Sequence, residues 1–249
     1  MSAITAEDLS VFVEQLKRLL ADRSSQAEVR RLSETPEGYD PAVWRALADL
    51  GVAGLIIEEA HGGFGGDAVA LERVMEEVGA ALLCSPLLSS AILAPALLQA
   101  LDDDAAKARL LPDLASGAKI ATVAITGPSA GWIEGHVAVD ATAAGTDWSL
   151  TGKAAFVTHA HIADVLLVVA NAPDGIAVFE VDPKAVGVSL TSRRPSTIRC
   201  GCLTSIFPRS QPAVWPAMGP HGRRWRPCSI WRSLHWLESR PVARAASLR

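Results

Sequence analysis

The sequence Leu111-Pro-Asp-Leu-Ala-Ser-Gly-Ala-Lys-Ile-Ala-Thr-Val-Ala-Ile-Thr126 marks the change from a helical to a β-strand pattern. Before Gly117, apolar residues recur every three or four positions, as on the buried face of an amphipathic helix. After it, short apolar runs are separated by Gly, Pro, Asn and Asp, which is typical of strands joined by turns. Helices followed by strands predict an α+β protein and argue against a doubly wound parallel sheet.

The helical part carries recognisable start and stop signals. Thr5 with Asp8 resembles a capping box and opens a predicted helix that runs to about Arg31. Further helices are predicted after the caps at Asp40 and Asp67, across the apolar segment from Leu87 to Leu101, and after Asp102-Asp-Asp104. The glycine-rich loop from His61 to Gly66 is interpreted as a structural turn rather than a phosphate site, because no βαβ pattern surrounds it.

The second part predicts an incomplete antiparallel β-barrel or sandwich. Its strand-like runs are Lys119–Ile125, Gly135–Asp140, Trp148–Leu150, Ala154–Thr158, Val165–Ala170, Ile176–Val181 and Val186–Leu190. We therefore expect a helical domain over residues 1–117 and a β-domain over 118–192.

Residues 193–249 differ sharply from the rest in charge. They contain 11 Arg and one acidic residue, whereas residues 1–192 contain 12 basic and 26 acidic residues. We expect this tail to be irregular or disordered. The N-terminus lacks the pattern of a secretory signal, and the most apolar segment, Ser85 to Leu101, is too short and too interrupted to span a bilayer, so the prediction is a cytoplasmic protein without membrane contact.

Four stretches resemble the acyl-CoA dehydrogenase family of flavoenzymes, in the family's order. Residues 41–66 resemble its helix, turn and glycine loop, and 74–82 its following acidic helix. Residues 111–126 are similar to the junction that leads into its β-domain, and 148–158 to the strand that carries its Trp-x-Thr motif. The resemblance implies the family's fold over residues 41–192.

The resemblance also implies a cofactor, a reaction and partners. Members of this family use FAD to oxidise acyl-CoA thioesters between the α and β carbons, pass the electrons to a flavin electron acceptor protein, and form homo- or hetero-oligomers. Position by position, it implies that Thr126 lies near the pyrimidine side of the flavin. Phe156 and Thr158 occupy the positions that pack on the flavin ring and hydrogen-bond to it.

The chain departs from the family pattern in two ways. Near Thr126 the usual acidic residue is absent and Trp132 replaces a Ser, while Phe156 replaces the usual Trp. Residues 193–249 also lack the pattern of the family's C-terminal helices, which supply its catalytic Glu. We hypothesise a frame change near Ser192, because a shifted reading from Pro195 to Pro208 resembles the family's next strand. The expectation is a truncated, inactive fragment with no catalytic residue of its own; the alternative is a non-catalytic flavin- or acyl-CoA-binding subunit of a hetero-oligomer.

Several single features suggest other functions. Gly127-Pro-Ser-Ala-Gly131 fits the G-x-S-x-G pattern of a serine hydrolase with Ser129 as nucleophile, although no helix is predicted to follow. His159 and His161 have the spacing of two metal ligands on one strand face, but no third ligand accompanies them, and no metal site is predicted. Cys200, Cys202 and Cys228 match no standard zinc spacing. The Arg223-Arg-Trp-Arg226 cluster is interpreted as part of the tail and not as a specific nucleic-acid site.

Overall fold

The computed structural model describes residues 5–129, 134–144, 147–193, 202–207 and 213–215. Its first part is helical, with 3₁₀ turns at Val52–Gly54 and Glu59–His61. The helices are α1 (Ala6–Arg23), α2 (Gln26–Glu34), α3 (Pro41–Leu50), α4 (Ala68–Ala80), α5 (Ala94–Ala100) and α6 (Asp104–Ala115), and a π-helical turn over Leu88–Leu93 leads into α5.

The predicted caps of these helices are confirmed. The Asp40 carboxylate accepts the backbone N–H of Ala42 at the start of α3, and Asp67 caps α4 in the same way. Gly51 ends α3 with φ of 95°, a conformation that costs glycine little and other residues more. At the start of α6 the cap is Asp103, whose carboxylate accepts from Ala106.

The single helix expected over residues 6–31 is wrong. The first helix ends before Ser24 and Ser25. A second helix, α2, then begins because the Ser25 hydroxyl accepts the backbone N–H of Glu28. A serine cap satisfies a free N–H at a helix start and so favours a break over a continuous helix.

The second part is one curled sheet, which confirms the predicted helical-then-β fold class. Its strands are β1 (Ala121–Ala124), β2 (Val139–Ala144), β3 (Asp147–Thr158), β4 (Val165–Ala172), β5 (Gly175–Val181), β6 (Ser189–Arg193), β7 (Cys202–Phe207) and β8 (Ala213–Trp215). The order is β1-β4-β2-β3-β7-β6, with β5 on β4 and β8 on β3. The sheet is mixed and not purely antiparallel, since β1 pairs with β4 in parallel and a long connection separates the two.

Two strand boundaries differ from those expected. Trp148–Leu150 and Ala154–Thr158 belong to one twelve-residue strand, β3. The run predicted from Gly135 starts as a 3₁₀ turn, Glu134–His136, and becomes a strand only at Val139.

Part of the tail belongs to the sheet. β7 pairs with both β3 and β6, and β8 pairs with β3. Residues 202–207 and 213–215 thus form strands of the sheet within the region for which no regular structure was expected. The rest of residues 194–249, including Cys200, Cys228 and the Arg223–Arg226 cluster, lies outside the described residues, as does Trp132.

Three buried clusters hold the structure together. One fills the helical part around Leu16, Leu47 and Val74. A second fills the sheet around Leu166 and Phe179. The third lies between them, where Leu110, Leu111 and Leu114 of α6 pack with Leu167 and Val169 of β4. Each fully buried leucine contributes about 2 kcal/mol through removal from water, so the helices and the sheet are joined by a substantial apolar contact. Among the described residues, no helix has the length and apolar character needed to cross a bilayer.

Candidate functional site

The three residues predicted to face a flavin lie at one place in the structure. Thr126 follows β1, and Phe156 and Thr158 lie at the end of β3. The backbone N–H of Ala155 donates to the Thr126 carbonyl at 2.7 Å, and the Thr126 hydroxyl donates back to the Ala155 carbonyl. Two bonds thus hold the end of β1 against β3.

Thr126 is buried, and its hydroxyl proton is committed to the Ala155 carbonyl. A hydroxyl that donates within the protein keeps lone pairs with which to accept a bond from a ligand. Thr126 is therefore suited to accept a hydrogen bond from a ligand N–H such as that of the flavin pyrimidine ring. Its contact with flavin stays a prediction.

Phe156 has an unusual backbone for an aromatic residue in a strand. Its φ is 59°, and its side chain is 56% exposed. The β3–β7 register shifts between Ala154 and Val157, so a β-bulge turns this ring away from the ladder. The left-handed conformation costs a non-glycine residue about 1–2 kcal/mol. Such strain concentrates at functional sites, and an exposed aromatic ring presents a face on which a planar ligand can pack.

Thr158 is half-buried and fixed through its backbone. The Thr122 hydroxyl of β1 donates to the Thr158 carbonyl at 2.7 Å. His159 follows in the left-handed conformation, with φ of 57°. The chain therefore turns immediately after Thr158, which leaves this threonine at the exact end of the strand.

His159 is buried, with 5% of its surface exposed. Its Nδ1 lies 3.1 Å from the hydroxyl of Ser89 in the π-helical turn. Burial, together with the nearby His161, lowers the pKa of His159 from 6.5 to about 4, so the ring is neutral at physiological pH. Sequence reasoning missed this contact, since no local signal pairs two residues so far apart in the chain.

The two histidines do not act as a ligand pair. His161 Nε2 lies 3.1 Å from the backbone carbonyl of Glu37, whereas His159 binds Ser89. Across the described ranges, no group of three or more His, Cys, Asp or Glu side chains has the arrangement of a metal site.

Ser129 lacks the surroundings of a nucleophile elbow. Its side chain is exposed, and the backbone N–H of Gly127 donates to the His136 carbonyl at 3.0 Å, which brings these two residues together. The next described residues form a 3₁₀ turn and then β2, where an elbow requires a helix. This geometry argues against a serine hydrolase.

The glycine loop is packed against its own backbone. A Cβ at Gly63 would lie 2.1 Å from the Ile57 carbonyl, and one at Gly51 would strike the Phe64 ring. Gly63 is thus needed for close packing, in agreement with the interpretation as a structural turn. An exposed groove of about 580 Å³ lies between this loop and α1, lined by Leu9, Phe12, Leu55 and Phe64 together with polar residues.

The residues at the β1–β3 junction fit a flavin. The exposed Phe156 ring offers an aromatic face, the Thr126 carbonyl accepts from the N–H of the adjacent Ala155, and the Thr158 carbonyl accepts from the Thr122 hydroxyl. A planar ring system with hydrogen-bonding edges needs both kinds of contact. In this arrangement Phe156 would pack on the flavin and the two threonines would bond to its edges.

A helical domain followed by a curled mixed sheet is the fold of acyl-CoA dehydrogenases. Residues 6–118 match the family model described as "Acyl-CoA dehydrogenase, N-terminal domain". The chain belongs to the acyl-CoA dehydrogenase family, with the N-terminal domain and part of the middle domain.

Curated relatives are similar over part of their length. Acyl-CoA dehydrogenase IpdE2 of Mycolicibacterium smegmatis is 37% identical over 119 residues, which are 47% of this chain and 37% of that protein. The 3-(aryl)acrylate reductase of Clostridium sporogenes is 30% identical over 204 residues, 78% of this chain and 53% of that protein. The chain thus spans about half or less of the length of these relatives.

Solved structures show the same fold. A Tcur3481-Tcur3483 steroid ACAD variant is 27% identical, with a TM-score of 0.75 over 92% of this chain and 59% of that one. A glutaryl-CoA dehydrogenase from Mycobacterium smegmatis in complex with FADH2 is 20% identical, with a TM-score of 0.78 over 92% of this chain and 60% of the other. The second likeness concerns the fold alone.

Proposed function

We propose that this chain contributes the flavin-facing strands of an FAD-dependent acyl-CoA dehydrogenase, which oxidises acyl-CoA thioesters between the α and β carbons. The observation that carries the proposal is Phe156, an exposed aromatic in a strained backbone on the strand where the family resemblance puts its flavin contacts. Family membership supports it.

Each residue has a defined part in this proposal. FAD, when bound, takes up the two electrons and the hydrogen removed from the β carbon. The Phe156 ring packs against the flavin and excludes water from that face. The Thr126 hydroxyl accepts a hydrogen bond from the pyrimidine edge of the flavin, since it donates its own proton to the Ala155 carbonyl. Thr158 donates to the flavin from a backbone position that Thr122 fixes.

We propose further that the chain with its present tail does not complete the reaction by itself. Removal of the α proton requires a general base beside the flavin. Residues 193–249 contain one carboxylate, Glu238, which lies outside the described residues, and their Arg-rich composition fits a frame change near Ser192. Resequencing the gene tests the frame change: an uninterrupted frame that encodes this tail would contradict it.

The purified chain tests the two parts of the proposal separately. FAD is added and saturable binding is followed by flavin fluorescence; an acyl-CoA and an artificial electron acceptor are then supplied. Binding without turnover is the expected result. Turnover would contradict the inactive-fragment part, and the absence of saturable binding would contradict the flavin site.

A second candidate is a non-catalytic subunit that completes the site of a partner chain. The likeness to one chain of the two-component Tcur3481-Tcur3483 steroid ACAD favours it, and a ChsE4-ChsE5 complex from Mycobacterium tuberculosis has the same fold. Co-expression with a full-length acyl-CoA dehydrogenase chain, followed by size-exclusion chromatography with light scattering, distinguishes this candidate from the first. A stable hetero-oligomer supports the subunit function, and elution of the two chains as separate species contradicts it.

The remaining partners follow from the reaction. We propose that a flavin electron acceptor protein takes up the electrons removed from the substrate, as the family resemblance implies. The substrate is an acyl-CoA, and the intact assembly is a homo- or hetero-oligomer.

A further inference from the structure

Two consecutive serines of the π-helical turn bind the sheet. Ser89 and Ser90 are both fully buried. The Ser90 hydroxyl accepts the backbone N–H of Ala121 at 3.1 Å, at the start of β1. Ser89 Oγ lies 3.1 Å from Nδ1 of His159, in the turn between β3 and β4. The wider π geometry, which is frequent at functional sites, places both hydroxyls toward the β-domain.

The direction of the Ser89–His159 bond follows from the neighbouring contact. The Ser89 hydroxyl donates its proton to the Pro86 carbonyl at 3.0 Å. It therefore accepts from His159, which must carry its proton on Nδ1. A second proton would have to be added at Nε2, and it would place a charge inside a buried contact.

No carboxylate among the described contacts compensates such a charge. The π-helical turn and β1 contain no ionisable side chain, and the residue that faces the imidazole from the turn is Ser89. His161, two positions along, opposes a positive charge on His159.

The other charged groups of the adjoining segments have partners of their own. The Asp164 carboxylate accepts from the backbone N–H of Ile120 at 2.9 Å, and Lys119 pairs with Asp113 at 2.8 Å. Glu37 presents its backbone carbonyl to His161, and the nearby Tyr39 hydroxyl has a raised pKa because of burial and the charges of Asp164 and Glu37, so it is neutral.

We propose that the Ser89–His159 contact is a pH-sensitive latch that fixes the β3–β4 turn, and with it the Thr158 end of β3, to the helical domain. At neutral pH the uncharged imidazole closes the latch. In acid, opening is favoured, because the ring takes up a proton readily only when it reaches water. The turn is the segment that directly follows the candidate flavin-facing residues, yet the latch does not depend on flavin binding.

Hydrogen exchange on the full chain without cofactor tests the latch. The reporters are the amides of Ile162, which donates to the His159 carbonyl, and of Asp164, which donates to Ile120. Between about pH 7.5 and pH 5, their protection, corrected for intrinsic rates, should fall about thirty-fold, because opening returns the His159 pKa from about 4 to 6.5. The amide of Trp44 in α3 serves as the internal reference.

Variants separate the latch from general acid effects. H159N keeps a polar donor, tolerates the left-handed backbone and does not titrate, so its reporter protection should stay constant over this range. H161N should retain most of the fall, since burial is the larger cause of the lowered His159 pKa and the charge of His161 the smaller one. An equal fall in H159N, or a wild-type fall no larger at Ile162 than at Trp44, would overturn the proposal.

One measurement requires no variant. Nitrogen chemical shifts of the wild-type imidazoles report which ring nitrogen carries the proton. His159 should be protonated on Nδ1 and bare on Nε2 at pH 7.5. The opposite tautomer, or a charged ring at that pH, would overturn the latch even if H159N failed to fold.

Discussion

The helical domain and the sheet meet through two contacts of opposite character. One is apolar: Leu111 of α6 and Leu167 of β4 are both fully buried in a shared cluster. The other is polar: Ser89, Ser90 and His159 join the π-helical turn to the sheet by directional bonds. The apolar contact stabilises the packing of the two domains through burial, whereas the polar bonds also fix the position of the turn after Thr158.

The largest effect is expected at the apolar contact. L111A removes a fully buried side chain between the two domains and leaves a cavity, so the free energy of unfolding should fall by about 2–5 kcal/mol. Urea denaturation measures this. A matched truncation of an exposed residue, L82A, should change it by less than about 0.5 kcal/mol. Equal effects of the two would contradict the assigned burial.

The polar contact should respond to pH. The folded pKa of His159, about 4, lies below its unfolded value of 6.5, so the unfolded chain binds more protons between these values. The contribution to stability is therefore complete above pH 6.5 and is lost as the pH falls toward 4, by on the order of 3 kcal/mol in total. The free energy of unfolding, measured by urea denaturation at several pH values, should fall more steeply toward pH 4 in wild type than in H159N. The same pH dependence in both would rule out a buried neutral histidine.

The serines should contribute less than either. S90A leaves the buried N–H of Ala121 without an acceptor, which costs about 1–3 kcal/mol. The effect should be present at both pH 7.5 and pH 5, unlike that of His159. Thermal unfolding at the two pH values measures it, and a pH-dependent loss would show that the two bonds are not independent.

A surface ion pair provides the smallest effect. Arg109 of α6 donates to both carboxylate oxygens of Glu180 on β5, linking the same two domains. Both groups remain accessible to solvent, so R109Q should cost less than about 1 kcal/mol and less still at high salt. A larger, salt-independent loss would mean that this pair, too, is part of the buried contact.

The sequence predicted what local chemistry determines. Caps at Asp40 and Asp67 and the stop at Gly51 are each set by a few adjacent residues, and they stand where expected. The break at Ser25 could have been recognised, because Ser25 and Glu28 have capping-box spacing. The change of period at Gly117 correctly separated helices from strands.

The rest depends on contacts between distant residues. The φ of Phe156 follows from the β3–β7 register, and β7 lies in a tail whose composition suggested no strand. The Ser89–His159 bond joins segments 70 positions apart. For the candidate site, the resemblance supplied Thr126, Phe156 and Thr158, and the structure adds the bonds through Ala155 and Thr122 that hold them.

Titration of the purified chain with FAD tests most directly whether the β1–β3 junction faces a flavin. Wild type should quench flavin fluorescence saturably. F156S, which removes the ring at an exposed position, should weaken binding at least tenfold without loss of thermal stability. Quenching that does not saturate, or that is the same in F156S, would contradict a flavin site at this junction.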